Sequence, residues 1–336
     1  MNRTLFFVAL IGTLVVPPLR AEIFELPPDG YDVIGAVSTI TARSEDTLVD
    51  IARRHGLGYQ DIVRANPNVN VWVPGEGTEV VLPTRYVLPQ GPRRGVILNL
   101  AEYRLYYFPE AKSGETAYVM TYPISIGRMD WETPLGKTSV VSKVRNPSWY
   151  VPKSVLAEHK ADGNPLPRIV PPGPNNPLGE YAMRLGLPGY LIHGTNRPAG
   201  VGMRVTHGCI RMFPEDIEYL FGKVDVSTNV RIVNEPIKMG WDGDQLVMEV
   251  HPVLDVVAPE AGEDTQEEGT DDLEDVVVAE NKDPLTHVTE QFIVTTSERA
   301  GQLDWHLAEQ IVARSDGIPT PVGQTIKNAA ASAAFE

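Results

Sequence analysis

Two short runs hold the residues best suited to covalent chemistry: Ile192-His193-Gly194-Thr195 and, after a glycine-containing loop, Thr206-His207-Gly208-Cys209-Ile210-Arg211. A thiol becomes a good nucleophile when a nearby imidazole takes its proton and the local field favours the thiolate. Cys209 is the only cysteine in the 336 residues, and two histidines are on offer. His207 lies two residues before it, so in an extended segment their side chains could share a face. His193 lies sixteen residues earlier, a separation that a loop could close. Spacing alone does not choose between them. Gly208 lets the backbone approach a substrate carbonyl closely, and successive N–H groups there could form an oxyanion site. Arg211 could hold a substrate carboxylate through a two-pronged pair. A metal centre built from His193, His207 and Cys209 lacks a fourth ligand and the usual close ligand pairs, so neither a metal nor a cofactor is expected.

The setting strengthens the case for a working thiol. Residues 1–21 read as a secretory signal, with Arg3 as the positive start, Leu5 to Val16 as the apolar run and Leu19-Arg20-Ala21 as the cleavage site. The apolar run is too short to span a bilayer comfortably and no second one follows, so no transmembrane segment is expected once the signal is removed. A secreted chain with one cysteine has no internal disulfide to make, which leaves its thiol either buried and inert or kept for chemistry. The formal net charge of -15 argues against a nucleic-acid partner. Most of that charge is local: residues 260–283 contain eleven acids against the single base Lys282. The remainder of the chain, at about -5, carries little functional information in its charge.

With a hydrophobic fraction of 42%, the length allows one sizeable core and a small second domain. In residues 38–83, Val37 to Ala42 suggests a strand and Ser44-Glu45-Asp46-Thr47 an N-cap. Leu48, Ile51 and Ala52 recur at helical spacing. A second helix holds Ile62, Val63 and Ala65 and stops at Asn66-Pro67, and Thr78 to Leu82 closes a strand, helix, helix, strand unit. Its residues Asp46-Thr47-Leu48, Ile51-Ala52, His55-Gly56, Ile62, Ala65-Asn66-Pro67 and Gly77-Thr78 to Pro83 resemble the LysM peptidoglycan-binding module. The resemblance implies binding to glycan strands; an enlarged stretch, Asn68 to Glu76, departs from it. Residues 93–235 alternate short β-rich runs with Pro and Gly and show one evident helix, Pro214 to Phe221, which suggests a sandwich or barrel. A hairpin is expected at Asp242-Gly243-Asp244, within an extension over 236–257. An acidic flexible linker follows over 258–283, then a helical segment and tail over 284–336.

The paired runs around His193 and Cys209, with Thr133-Pro134-Leu135-Gly136 and Pro171-Pro172-Gly173-Pro174-Asn175-Asn176-Pro177-Leu178-Gly179, resemble the YkuD-type L,D-transpeptidases. Those runs, together with Tyr103 to Phe108 and the LysM-like segment, are most similar to the subgroup that attaches Braun lipoprotein to peptidoglycan. The fold expected on both grounds is mostly β: a sandwich or barrel-like catalytic domain after a small βααβ module, with an acidic linker and short C-terminal helices. The resemblance implies Cys209 as nucleophile toward the third residue of a stem tetrapeptide, with release of D-alanine. It also implies His193 as base, oriented by the Gly194 carbonyl, with His207, Gly208 and Cys209 shaping the oxyanion site and Thr206 positioning the loop. The implied partners are stem peptides and glycan strands, with the C-terminal lysine of a Braun-type lipoprotein, a neighbouring stem-peptide amine or water as the alternative acceptors, and the implied location is the periplasm. Only twelve residues separate His193 from Thr206, and Arg211 stands where other members carry asparagine; both features suit the lipoprotein-attaching subgroup.

Overall fold

The computed structural model describes residues 22–112, 114–128, 133–254 and 283–326. The expected signal at 1–21 lies outside them, as does the acidic stretch apart from Asp283. The first strand, β1 (Glu22–Glu25), joins the edge of the catalytic sheet. The small module follows as β2 (Val33–Thr41), α1 (Leu48–Arg54), α2 (Tyr59–Ala65) and β3 (Glu79–Val87). Thr47 caps α1 as the spacing suggests: its hydroxyl accepts from the Asp50 amide at 3.1 Å, and the Asp50 carboxylate accepts from the Thr47 amide at 3.3 Å. Asn66 ends α2 and ties it to β3, donating to the carbonyls of Ile62 and Val81 and accepting from the Val81 amide, each at 2.8 Å. Leu48, Ile51, Ala52, Leu57, Ile62, Val80 and Leu82 fill the core of this module. Both strands outrun the expected ranges. β3 continues past Pro83, which pairs with Val37 in a two-stranded ribbon where a missing amide is tolerated.

The catalytic domain opens with β4 (Gly95–Asn99), β5 (Arg104–Phe108), β6 (Tyr118–Pro123), β7 (Ile126–Gly127) and β8 (Gly136–Arg145). An excursion of β9 (Trp149–Tyr150), α3 (Lys153–Ala161) and β10 (Ile169–Val170) follows. The chain returns through β11 (Tyr181–Leu185), β12 (Leu191–His193), β13 (Arg204–Thr206), β14 (Ile210–Arg211), α4 (Pro214–Lys223) and β15 (Asn229–Val233). Nine strands form one sheet in the order β1-β6-β5-β4-β15-β8-β11-β12-β14. Laid flat, nine strands would spread over roughly 40 Å at the usual strand spacing. Yet Tyr107 and Met120 share a single core cluster with Ile192, Ile210 and, from α4, Ile217 and Leu220. The sheet therefore curls around one core, as expected of a mostly-β domain. The helix α3 is invisible to periodicity because it buries only Val155.

Beyond it, β16 (Ile237–Asp242) and β17 (Gln245–Val250) make the expected hairpin, with Gly243 at φ +61° in its turn. The expected C-terminal helices are α5 (Pro284–Thr296) and α6 (Trp305–Arg314). Two strands that periodicity did not reveal, β18 (Gly301–Leu303) and β19 (Thr320–Thr325), complete a sheet ordered β16-β17-β19-β18. β19 pairs with β17, more than fifty residues upstream, and β18 adds to the outer edge of β19, so no local pattern announces them. Met239, Trp241, Leu246, Met248, Val288, Ile311 and Val322 form the core of this unit.

The three units meet on buried charges. Lys238 is fully buried, with Nζ 2.9 Å from Glu102 and 3.0 Å from Glu249, and it donates to the Val87 carbonyl at 2.6 Å. Arg104, equally buried, reaches Asp61 of α2 at 2.6 Å. Among the described residues Glu102, Glu249 and His251 could converge on a metal ion, but Lys238 already places a positive charge between the two carboxylates.

Candidate active site

The parallel pairing of β12 with β14 sets Ile192 beside Ile210 and His193 beside Arg211, so Cys209, one residue before β14, stands level with Leu191, two residues along the strand from His193 and on the same face. His193 is buried, and its Nδ1 lies 2.6 Å from the Gly194 carbonyl. Since a carbonyl only accepts, Nδ1 carries the hydrogen and Nε2 is left as the basic nitrogen. Burial, with the Arg211 guanidinium beside it, pulls the imidazole down to about 3, so His193 is neutral at ordinary pH. The Cys209 thiol donates to the Gly189 carbonyl at 3.6 Å. Burial raises it above the usual thiol range, while the Leu191 backbone and Arg211 pull the other way. The resting pair is thus a neutral thiol and a neutral imidazole. Arg211 has a buried Nε with no hydrogen-bond partner, and burial with the nearby Arg197 lowers its basicity. A buried guanidinium in that state is suited to an incoming carboxylate.

The backbone around the thiol is held from several directions. Gly208 has φ +93°, a conformation that favours glycine, and its carbonyl accepts from Thr133 Oγ1 at 2.8 Å. Thr206 Oγ1 donates to the Cys209 carbonyl at 2.6 Å. Gly179, at φ +68°, lies so close to the His193 strand end that a Cβ there would sit 2.9 Å from the Thr195 amide nitrogen. Both motif runs flagged in the sequence, Thr133 to Gly136 and Pro171 to Gly179, therefore end against the two halves of the site.

Cys209 and His193 open into a groove of about 2810 Å³, its mouth included. Trp149, Tyr150, Leu166 and Val170 of the β9–α3–β10 excursion line it, along with Arg184, Arg197 and Arg211. Glu158 on α3 lies 2.9 Å from His207 Nε2 and 2.8 Å from Arg128, and these two partners hold its carboxyl below the usual range. His207 is thus engaged by the excursion at the groove rim. Asn176 anchors the base of the excursion, donating to the carbonyls of Pro147, Val170 and Pro171 and accepting from the Leu178 amide at 2.9 Å. Replacing it with alanine leaves buried backbone groups unsatisfied. Asn176→Ala should lower stability by about 1–3 kcal/mol in urea unfolding.

All seven site residues expected from the sequence, Cys209, His193, Gly194, Thr206, His207, Gly208 and Arg211, cluster around β12 and β14. Glu158, Arg197 and Asn176 were not singled out as site residues. Glu158 lies on a helix without an apolar stripe, and the other two lie in loops, where spacing says nothing about proximity.

A thiol, an imidazole with its tautomer fixed by a backbone carbonyl, and a curled β-sheet carrying both have the chemistry that acyl transfer requires. The YkuD family, described as the L,D-transpeptidase catalytic domain, matches residues 93–232, and the LysM domain matches residues 40–74. The probable L,D-transpeptidase YcfS of Escherichia coli K12 is 39% identical over 256 residues, 74% of this chain and 78% of that protein. The probable L,D-transpeptidase YbiS of the same organism is 38% identical over 75% of this chain and 82% of its own. The probable L,D-transpeptidase ErfK/SrfK of Salmonella typhimurium LT2 is 39% identical over 74% and 79%. Alignment on the crystal structure of an L,D-transpeptidase from Mycobacterium tuberculosis H37Rv gives a TM-score of 0.28 at 20% identity, over 47% of this chain and 63% of that one, too low to add to the comparison. The chain belongs to the L,D-transpeptidase family and is an L,D-transpeptidase with a LysM domain.

Proposed function

We propose that Cys209 is the nucleophile and His193 the base of an acyl transfer on peptidoglycan stem peptides, carried out in the periplasm after export by residues 1–21. His193 Nε2 takes the thiol proton as Sγ bonds to the carbonyl carbon of the third stem residue. The amides around Gly208 and Cys209 receive the developing oxyanion, with His207 shaping that site and Thr206 holding the Cys209 carbonyl. The bond to the terminal D-alanine breaks, the imidazolium returns its proton to the leaving amine, and a thioester remains on Cys209. An acceptor amine attacks the thioester, the C–S bond breaks, and the thiol is restored. The observation that carries this assignment is the His193 ring itself, buried with Nδ1 committed to the Gly194 carbonyl. Arg211 takes a substrate carboxylate, as its unpartnered Nε favours.

The acceptor is the C-terminal lysine of a Braun-type lipoprotein, which presents an amine and a carboxylate together to a groove lined by Arg184 and Arg197. The LysM domain binds the glycan strands that bear the donor. The test is to incubate enzyme with tetrapeptide muropeptides and a lysine-terminated peptide and follow products by mass spectrometry. A thioester on Cys209, absent from Cys209→Ala, and a peptide conjugate are expected. Cross-linked dimers without conjugate would reject lipoprotein attachment in favour of 3→3 linkage, and free tripeptide alone would indicate hydrolysis. An unmodified thiol after prolonged incubation would leave a wall-binding protein.

A further inference from the structure

The LysM domain touches the polypeptide on both sides of Cys209. Before it, the amides of Tyr59 and Gln60, the first two of α2, donate to the carbonyls of Val201 at 2.9 Å and Gly202 at 3.3 Å. Those two amides have no partner within their own helix, so the catalytic loop satisfies them. The backbones meet at Gly58 and Gly202: a Cβ on Gly58 would lie 2.7 Å from the Gly202 Cα, and one on Gly202 would lie 2.3 Å from the Tyr59 nitrogen. No side chain separates the two chains there. After Cys209, Arg53 of α1 forks onto Glu215 at 2.7 and 2.8 Å and stacks over Phe213, with 5.4 Å to the ring centroid.

The clasped loop has little regular structure of its own. Between His193 and Thr206 there is one short turn at Pro198–Gly200 and the start of β13. Its other ties include the Gly194 amide donating to the Tyr181 carbonyl at 3.1 Å, Ser125 Oγ donating to the Gly200 carbonyl at 2.8 Å, the Ile126 amide donating to the Met203 carbonyl at 3.2 Å and Arg204 Nε donating to the Gly127 carbonyl at 3.0 Å. Ser125 also exchanges both backbone hydrogen bonds with Arg211, so the loop and the strand after Cys209 are registered on the same residue. A buried ion pair from Arg104 to Asp61, whose carboxylate also accepts from the Gly58 amide at 2.9 Å, holds the domain against the sheet.

We propose that the LysM domain is a positioning element of the active site as well as a wall-binding module: by gripping Val201 and Gly202 before Cys209 and Phe213 and Glu215 after it, the domain sets where the thiol stands relative to His193. Backbone packed on backbone has no rotamer with which to absorb a shift, so a change at the seam is passed to the loop. Misplacement of reacting groups by about 1 Å costs on the order of 100-fold in rate. The chemistry should therefore depend on the seam even for a donor too small to reach the glycan-binding domain.

Gly58→Ala tests this cleanly. Gly58 sits at φ -88°, where alanine is unstrained, so the new methyl burdens the seam and not the LysM fold. With a soluble tetrapeptide lacking glycan as donor, the rate constant for thioester formation on Cys209 should fall ~10- to 100-fold. The donor concentration for half-saturation, retention on purified sacculi and the melting temperature should stay near wild type. Arg53→Met should lower the same rate constant by a smaller factor and carries the test if Gly58→Ala loses sacculus retention through unfolding. Wild-type rates in the folded variants would overturn the proposal and leave the domain as a wall binder alone. The kinetic readout rests on Cys209 as the acylated thiol. Should wild type form no thioester, that assignment falls; alkylation of Cys209 by iodoacetamide then reads the seam independently, and an unchanged alkylation rate in Gly58→Ala overturns the positioning role.

Discussion

Replacing His193 with glutamine should lower the rate of Cys209 acylation by ~10²- to 10⁴-fold, the range supplied by a positioned base. The loss should fall on the rate constant rather than on donor half-saturation, because the substitution leaves Arg211, the proposed carboxylate site, in place. The pH behaviour is diagnostic. With His193 drawn down to about 3 by burial and Arg211, the base is already deprotonated well below pH 6.5 in the free enzyme. The acid limb of acylation against pH should therefore lie at about 3, and a limb near 6.5 would contradict the buried geometry. The same shift affects stability. A histidine whose folded value is depressed contributes stability that is present above its unfolded value, near 6.5, and is lost as pH falls through that value toward the folded one. His251, drawn down to about 4 by burial, acts in the same direction. Urea midpoints of wild type and His193→Gln should therefore differ in slope between pH 6.5 and 3, with the variant losing less stability on acidification.

Lys238→Met should be the most destabilising single change away from the groove. Lys238 stands between Glu102 and Glu249 with no exposed surface, and its loss leaves two buried carboxylates facing each other. Breaking a buried pair by removing one partner costs about 3–5 kcal/mol. Chemical denaturation at pH 7.5 reads that loss directly. The cost must be pH-dependent with a definite sign. Without the lysine, Glu249, whose carboxyl is already pushed above the usual range by burial, can relieve the repulsion by protonation, which raises its folded value further above the unfolded one. Groups shifted in that direction contribute stability that is present below the unfolded value and lost as pH rises through the folded one. The deficit of Lys238→Met relative to wild type should thus shrink at pH 5 and widen at pH 8. Equal deficits at both would mean that the carboxylates find another partner. Lys238 also donates to the Val87 carbonyl and Glu249 accepts from the Val87 amide at 2.6 Å, so the same change should loosen the LysM domain from the C-terminal unit.

Much of the fold could be read from local pattern. The Thr47 cap, the helix stop at Asn66-Pro67 and the Asp242-Gly243-Asp244 turn each rest on interactions within a few residues, and the structure has all three. Extents were less legible. β3 runs on through Pro83 because it pairs in an isolated ribbon, β19 exists because a hairpin far upstream accepts it, and β18 because β19 does. The helix α3 buries a single side chain and leaves no stripe to detect.

The sequence by itself determined the chemistry on offer: one thiol, two histidines and an arginine in two runs, set on a mostly-β chain behind a LysM module. That much follows from residue type and spacing, because caps, turns and strand alternation are local. What the runs could not contain is how they come together. The parallel β12–β14 pairing sets His193 beside Arg211 and places Cys209 two residues along the same face, the Gly194 carbonyl fixes the imidazole tautomer, and α3 engages His207. Only the tertiary structure brought the LysM domain against the loop before Cys209 and the helix after it, because contacts between residues 53 and 215 or 58 and 202 depend on the whole sheet having curled first.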